Sequence, residues 1–219
     1  MYNKAVLLDL FNGKKILNIE KYIKSCLYGK KGYYTNSNVI GLKGDFITAP
    51  EISQLFGEII GLFILNYWQN YINKSFNLIE LGPGKGTFLI DMLQITKSFK
   101  NFHQSININL IEKNNHLIKM QKKNFLINNY RYLKINWSKK KFPNKTRPTI
   151  IFANEFFDCL PIRQFFHKEN QWFEKKIQID YENSLIKIID KKIYNSKILG
   201  NIKKYKPNEV LEISKFREN

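Results

Sequence analysis

Cysteine and histidine are scarce in this chain, acidic residues are outnumbered two to one by basic ones, and no long apolar run occurs. Of 219 residues, two are cysteine and three are histidine. Cys26 and Cys159 are far apart in apolar surroundings, as reduced core thiols are, which argues against a disulfide framework and against a cysteine metal site. His103, His116 and His167 are isolated from one another and from paired carboxylates at ligand spacing, so no metal centre is expected. The longest apolar candidate, Ile59 to Leu65, is far short of the roughly 20 residues a spanning helix needs, and a soluble protein is expected. Met1 to Lys15 contains Asp9 and lacks a signal-peptide core with a small-residue cleavage site, as well as an Arg/Ser-rich transit segment. The expected location is the cytoplasm of a bacterium, with the mitochondrial matrix as the alternative in a eukaryote.

What the chain does have is 43% hydrophobic and 15% aromatic residues, enough for a core in one domain or one domain with an appendage. Thirty-six lysines and arginines against 18 acids leave a formal charge of +18. Such a charge suits an anionic partner. It is equally the mark of AT-rich codons, which also specify the abundant Asn, Ile, Tyr and Phe.

The pattern along the chain predicts a helix over Ile19 to Leu27 and a turn-rich stretch over Gly29 to Gly32. In Gly41-Leu-Lys-Gly-Asp-Phe-Ile-Thr-Ala-Pro-Glu two glycines and a proline specify a loop. Thr48 and Glu51 have capping-box spacing, with Pro50 in the first turn, so a helix starts there. Ile52, Leu55, Phe56, Ile59, Ile60 and Phe63 form its apolar stripe, and it continues to about Tyr71. Strands are predicted at Phe76 to Leu81, Ile106 to Ile111, Tyr130 to Ile135 and Thr149 to Ala153. Helices at Thr87 to Leu93 and from about His116 to Phe125 alternate with them, which makes a parallel, doubly wound α/β sheet. Gln164 to His167, Trp172 to Ile179 and Leu185 to Ile189 read as an antiparallel meander attached after the fourth parallel strand. Asn195 to Asn219 carries no assignment. The expected division is an N-terminal helical segment, 1–75, and a Rossmann-like domain, 76–219, with an antiparallel β insertion at 163–190.

The most informative segment is Leu78-Ile-Glu-Leu-Gly-Pro-Gly-Lys-Gly-Thr. Gly82, Gly84 and Gly86 allow a sharp bend at a strand end and the close approach of a ligand, with Pro83 between the first two. The spacing is one residue tighter than the dinucleotide fingerprint and lacks the Gly-Lys-Ser/Thr ending of a phosphate loop, although Lys85 keeps a nucleotide in view. Glu80, one residue before the turn, needs a partner for its charge, either a cationic ligand or nearby donors. Glu112 closes the second strand, where an acid in doubly wound folds accepts both ribose hydroxyls. The combination describes a nucleoside-bearing ligand with a positive charge and no phosphate, and S-adenosylmethionine meets that description. As plain alternatives, Gly-Pro-Gly is a turn and Glu112 a solvated strand end.

Acidic residues concentrate in these same segments. Asn154-Glu-Phe-Phe-Asp-Cys-Leu-Pro follows the fourth strand, so Asn154, Glu155 and Asp158 should point into the crevice of Gly82 and Glu112. Asp45 is also a candidate turn residue, Glu51 a capping residue, and Asp158 a cap before Pro161.

These motifs resemble the MidA-type class I methyltransferases, the family that includes a mitochondrial complex I assembly factor. The resemblance is carried by Gly32-Tyr-Tyr, by residues Gly41 to Glu58, by Ile79 to Thr87, by Ile111-Glu-Lys with Gln121, and by Ala153-Asn-Glu-Phe-Phe-Asp-Cys-Leu-Pro-Ile-Arg-Gln-Phe. It implies methyl transfer from S-adenosyl-L-methionine to an arginine of a protein, such as a complex I subunit, with symmetric dimethylarginine as product. It implies cofactor contacts by Glu80, Gly82, Pro83, Gly84, Gly86, Glu112 and Asn154. Asp45, Glu51, Glu155 and Asp158 are the unranked candidates for a carboxylate clamp on the forked guanidinium donors. Family members are longer and add a fifth strand and others after a stretch like Asn208 to Ser214, completing a seven-stranded sheet. An uncovered edge on the fourth strand is therefore expected, with a partner chain or an oligomer to supply strands. Two further readings stay open: a non-catalytic assembly factor that keeps the fold, and a methyltransferase acting on RNA or a small molecule.

Overall fold

The computed structural model describes residues 4–30, 32–35, 48–139, 146–194 and 209–214. In chain order the elements are α1 (Lys4–Phe11), β1 (Ile16–Asn18), α2 (Ile19–Tyr28), α3 (Ala49–Ile52), α4 (Gln54–Tyr67), β2 (Phe76–Leu81), α5 (Thr87–Ile95), α6 (Lys100–Ser105), β3 (Ile106–Ile111), α7 (Asn115–Ile127), β4 (Ile135–Ser138) and β5 (Thr149–Ala153), then β6 (Arg163–Lys168), β7 (Gln171–Asp180), β8 (Leu185–Ile193) and β9 (Val210–Ile213). They fall into two units, Ser37–Asp158 and the combination of Met1–Asn36 with Cys159–Asn219. The segment 1–75 contributes to both units, α1 to α2 in one and α3 to α4 in the other.

The Ser37–Asp158 unit holds a parallel sheet in the order β4-β3-β2-β5, the α/β arrangement that alternating strands and helices predict. β2 is buried along its whole length, as a central parallel strand covered on both faces should be. Leu78, Ile108 and Ile150 lie side by side in register. They pack with Phe88, Leu89, Met92 and Leu93 of α5 and Phe125 of α7. Side chains of this size stabilise by about 1.5–3 kcal/mol each when fully buried. The opposite face carries a polar row: Asn107 Nδ2 donates to Asn77 Oδ1 at 2.8 Å, and Asn77 Nδ2 to Thr149 Oγ1 at 3.3 Å. A slip of one residue would send these amides into the apolar layer, so the row enforces the register. Among the described residues β5 pairs with β2 alone, and Ile151 on this edge is 55% exposed.

Three sequence-based expectations change here. The third parallel strand runs over Ile135–Ser138, not Tyr130 to Ile135. Tyr130 and Leu133 are apolar because they plug the core from the turn ahead of the strand. The helix expected from Thr48 to about Tyr71 is broken at Ser53, whose extended backbone ends α3 and starts α4, and it finishes in one wider π turn over Trp68–Ile72. Its predicted stripe also faces the wrong way: Ile52, Leu55, Ile59 and Phe63 are exposed, and only Phe56 and Ile60 reach the core. The buried face is Gly57, Gly61, Ile64 and Trp68. A Cβ on Gly61 would lie 2.9 Å from the Met92 Cα, and one on Gly57 would lie 2.6 Å from the Asp91 Cβ. Backbone-to-backbone approach of α4 and α5 therefore selects the small face.

In the other unit β7 is the organising strand of an antiparallel sheet. β8 runs along one edge of it, while β6 and β1 share the other edge in tandem, pairing with Gln171–Lys175 and Lys176–Gln178 respectively. β9 then pairs with β6. Its core is Leu7, Phe11, Leu17, Ile19, Ile177, Ile179 and Tyr181. The expected meander is present, with β8 extended to Ile193, and β1 and β9 are strands too short to show a period. Asn18 caps α2 by accepting from Lys21 N at 3.2 Å. Glu174 is buried and held by Arg163 Nε at 2.7 Å and Lys176 Nζ at 3.4 Å.

Candidate functional site

The strand β2 ends at Leu81, and the chain then turns through three glycines with positive φ: Gly82 at 64°, Gly84 at 53° and Gly86 at 82°. Only glycine adopts this region without strain, so the alternation of glycines is a requirement of the turn. At Gly82 space is also decisive, since a Cβ there would come within 2.7 Å of the Phe156 ring. The loop is tied down on several sides. Gly82 N donates to Ile111 O at the end of β3 (3.0 Å), and Gly86 N closes back on Pro83 O (2.7 Å). From α7, Gln121 Nε2 donates to Gly84 O at 2.7 Å and Asn124 Nδ2 to Lys85 O at 3.1 Å. From α3, Glu51 accepts Lys85 Nζ at 3.0 Å and the Thr87 hydroxyl.

Glu51 is thus placed by its helix, but not as a cap. Thr48 makes no side-chain cap bond, and the Glu51 carboxylate reaches forward to the glycine loop. The capping-box expectation fails because two donors on the loop offer a carboxylate stronger, charge-assisted bonds than one backbone N–H.

Glu80 sits at the carboxyl end of β2, in register with Phe152 and Leu110. It is buried, and its Oε2 finds no hydrogen-bond partner among the described residues. Burial pushes its carboxyl up to about 8. An orphaned acid beside a glycine turn is what a cationic or donor-bearing ligand would satisfy, so the residues present fit the group inferred from the motif.

Glu112 follows β3, and its own N–H donates to Ser138 O at 3.0 Å. Its Oε1 accepts from Lys113 N at 2.7 Å and Asn114 N at 2.8 Å, which aims the carboxylate in one direction. Burial raises its carboxyl while those backbone bonds oppose the rise. Asn154 and Glu155 follow β5, and Glu155 is held at φ 52°, a conformation a non-glycine side chain seldom adopts. Asn154 is half-buried, while Glu155 and Asp158 are exposed. Phe156, between them, lies against Gly82, so it is this ring that brings the segment to the glycine loop.

Glu80, Gly82, Pro83, Gly84, Gly86, Glu112 and Asn154 thus stand at or just beyond the carboxyl ends of parallel strands, with Glu51 bonded to the loop, while Glu155 and Asp158 follow β5 in the chain, Asp158 in a short turn over Phe157–Cys159. The carboxyl ends are the edge where open α/β sheets bind ligands. Asp45 lies outside the described residues. A depression of about 410 Å³ lined by Ser75, Asn77, Asn107, Lys134 and Arg147 belongs to the opposite, amino end of the strands. Gln121, which the sequence singles out only as part of the family resemblance, and Asn124, which it does not single out, hold loop carbonyls. The sequence did hold a signal for the first: a glutamine one helical turn before Phe125, on the face that α7 buries.

Residues 59–218 match the profile of a family, Methyltransf_28, described as "Putative S-adenosyl-L-methionine-dependent methyltransferase". Among curated proteins, the chain is 32% identical over 206 residues to the mitochondrial protein arginine methyltransferase NDUFAF7 of Danio rerio, covering 83% of this chain and 48% of that protein. It is 33% identical over 185 residues to the Bos taurus counterpart, covering 75% and 42%. The chain spans about half the length of the curated relatives it matches. Among solved structures, a COG1565 superfamily member from Burkholderia thailandensis bound to S-adenosyl-homocysteine superposes with a TM-score of 0.72 at 18% identity, covering 96% of this chain and 55% of that one. This last likeness is one of fold.

Proposed function

The chain belongs to the Methyltransf_28 family of S-adenosyl-L-methionine-dependent methyltransferases, and on that premise we propose that it binds this cofactor at the glycine loop and methylates an arginine of a protein. The observation that carries the reading is the run of three glycines at positive φ beside the buried, orphaned Glu80. When bound, S-adenosylmethionine supplies a methyl group already activated on a sulfonium. Gly82, Pro83, Gly84 and Gly86 would form the cradle, Glu112 would take the ribose hydroxyls, and Glu80 and Asn154 would face the polar end of the ligand. Glu155 and Asp158, exposed acids that follow β5 in the chain, would accept the forked donors of the guanidinium and aim one nitrogen. Holding both reactants in line is the protein's main contribution, and such positioning is worth about 7–11 kcal/mol in favourable cases. Glu51 leaves the clamp and becomes a brace of the loop.

The acceptor we propose is a complex I subunit, which rests on the resemblance, and the mitochondrial names of the relatives support the matrix over the cytoplasm. Among the described residues no helix is long and apolar enough to cross a membrane. A second reading, in which the chain transfers methyl only once another chain pairs with β5, is supported by the half-exposed Ile151 on that edge. Calorimetry with S-adenosylmethionine and S-adenosylhomocysteine tests the cofactor site: Gly84→Val and Glu112→Ala should each abolish measurable binding. Affinity like that of the parent in both variants overturns the assignment. Labelled cofactor with an arginine peptide tests the transfer, and cofactor binding with no methylarginine under any pairing condition would leave only the binding half of the proposal.

A further inference from the structure

Gln121 is completely buried, although its neighbours Lys122 and Lys123 are exposed. A buried amide must place both a donor and an acceptor. Nε2 donates to Gly84 O at 2.7 Å, and Oε1 accepts the indole N–H of Trp137 in β4 at 2.9 Å. Within the next turn of the same helix face, Asn124 holds Lys85 O and Phe125 backs Gly86, where a Cβ would approach its ring at 3.2 Å. Three residues at i, i+3 and i+4 of α7 thus receive three consecutive residues of the loop.

The loop needs such a hold. A trans peptide is planar, so the carbonyl of Gly84 and the N–H of Lys85 point in opposite directions. Gly84, at φ 53°, carries no Cβ, so on its side the Gly84–Lys85 plane can turn without the steric cost a side chain would impose there. Inversion would exchange a carbonyl for an N–H on the side of the loop away from α7. The Gln121 amide selects one orientation, and the Trp137 indole selects which end of the amide faces the loop.

We propose that Gln121 is a positioning residue of the cofactor site: oriented by Trp137, it fixes the Gly84–Lys85 peptide plane and so sets cofactor affinity without touching the ligand. This rests on the cofactor reading above. Glutamate at this position loses the donor and sets a carboxylate against a carbonyl oxygen, and leucine leaves both Gly84 O and the Trp137 N–H unpaired.

Calorimetric titration with S-adenosylhomocysteine, alongside amide resonances of Gly84 to Thr87, separates positioning from general stability. Gln121→Glu and Gln121→Leu should weaken binding at least tenfold and broaden the Lys85 and Gly86 amides. Trp137→Phe, which keeps the ring, should weaken binding about threefold, and the Gln121→Leu/Trp137→Phe pair should be no worse than Gln121→Leu alone. Thr96→Val serves as the control: it removes a buried hydroxyl bonded to Met92 O and His103 Nε2, far from the loop in the helix sequence. It should lower the melting temperature and leave affinity unchanged. If the parent binds no cofactor, the functional reading fails. If the parent binds and both Gln121 variants stay within twofold of it, the positioning role alone fails. Should the Gln121 variants not fold, Trp137→Phe decides, and an unchanged affinity there overturns the proposal.

Discussion

Among the described residues, Glu80 in one unit and Glu174 in the other are both almost wholly buried, and the two carboxylates are treated in opposite ways. Glu174, in the antiparallel sheet, loses hydration on burial but meets Arg163 and Lys176, and their combined pull holds its carboxyl below the usual range. Glu80, in the parallel sheet, undergoes the same desolvation with one oxygen unpartnered among the described residues, and its carboxyl rises to about 8. In a chain with twice as many cations as acids, a lysine for Glu80 would be easy to supply. The difference teaches that Glu174 belongs to the fold, whereas the charge of Glu80 is left for something that is not part of the chain.

The largest test of this contrast is Arg163→Met. It leaves a buried charge with only the more distant Lys176, and it should cost about 3–5 kcal/mol in urea unfolding of the antiparallel unit at pH 7. A loss under 1 kcal/mol would mean that Glu174 is solvated and the contrast false. Glu80→Gln comes next and has the opposite sign. The folded carboxyl titrates above its unfolded value of 4.5, so the folded state keeps a proton that the unfolded chain releases. Stability of the parent therefore falls as pH rises from about 4.5 to about 8 and then levels. Glu80→Gln abolishes that slope and should stabilise the ligand-free protein by up to about 3 kcal/mol at pH 7. Parallel curves of stability against pH for the two proteins would refute it. For Glu174 the folded carboxyl is depressed, so its contribution is present above pH 4.5 and is lost as pH falls through the lower folded value. Smallest is Lys176→Met. Its ammonium is 3.4 Å from Glu174 and the side chain is 30% exposed, so a loss of about 0.5–1 kcal/mol is expected. A cost equal to that of Arg163→Met would show that the two cations share the charge equally.

How much of this was legible in the sequence depended on range. β2, β3 and β5 were readable to the residue because each is a short stretch dominated by Ile, Leu and Phe and bounded by turn residues, even with Asn77, Asn107 and Asn109 inside β2 and β3. β4 was not, because Tyr130 and Leu133 look like strand residues and are turn residues that fill a hole. In α4 the largest aliphatics define the obvious stripe, yet the helix buries its glycines, since only they let α5 come close. At the site, the glycine loop, Glu80 and Glu112 were recognisable. Glu51 had the spacing of a cap and the bonds of a brace.

Local chemistry was readable directly from the residues: three alternating glycines permit a left-handed turn after a buried strand, and an acid beside them calls for a partner. Tertiary structure decided who those partners are. Glu51 meets Lys85 across 34 positions and Gln121 meets Gly84 across 37. Separations of that length carry no periodic signal, because a hydrogen bond is satisfied by any donor that folding brings within about 3 Å. The same process left Glu80 Oε2 with none among the described residues.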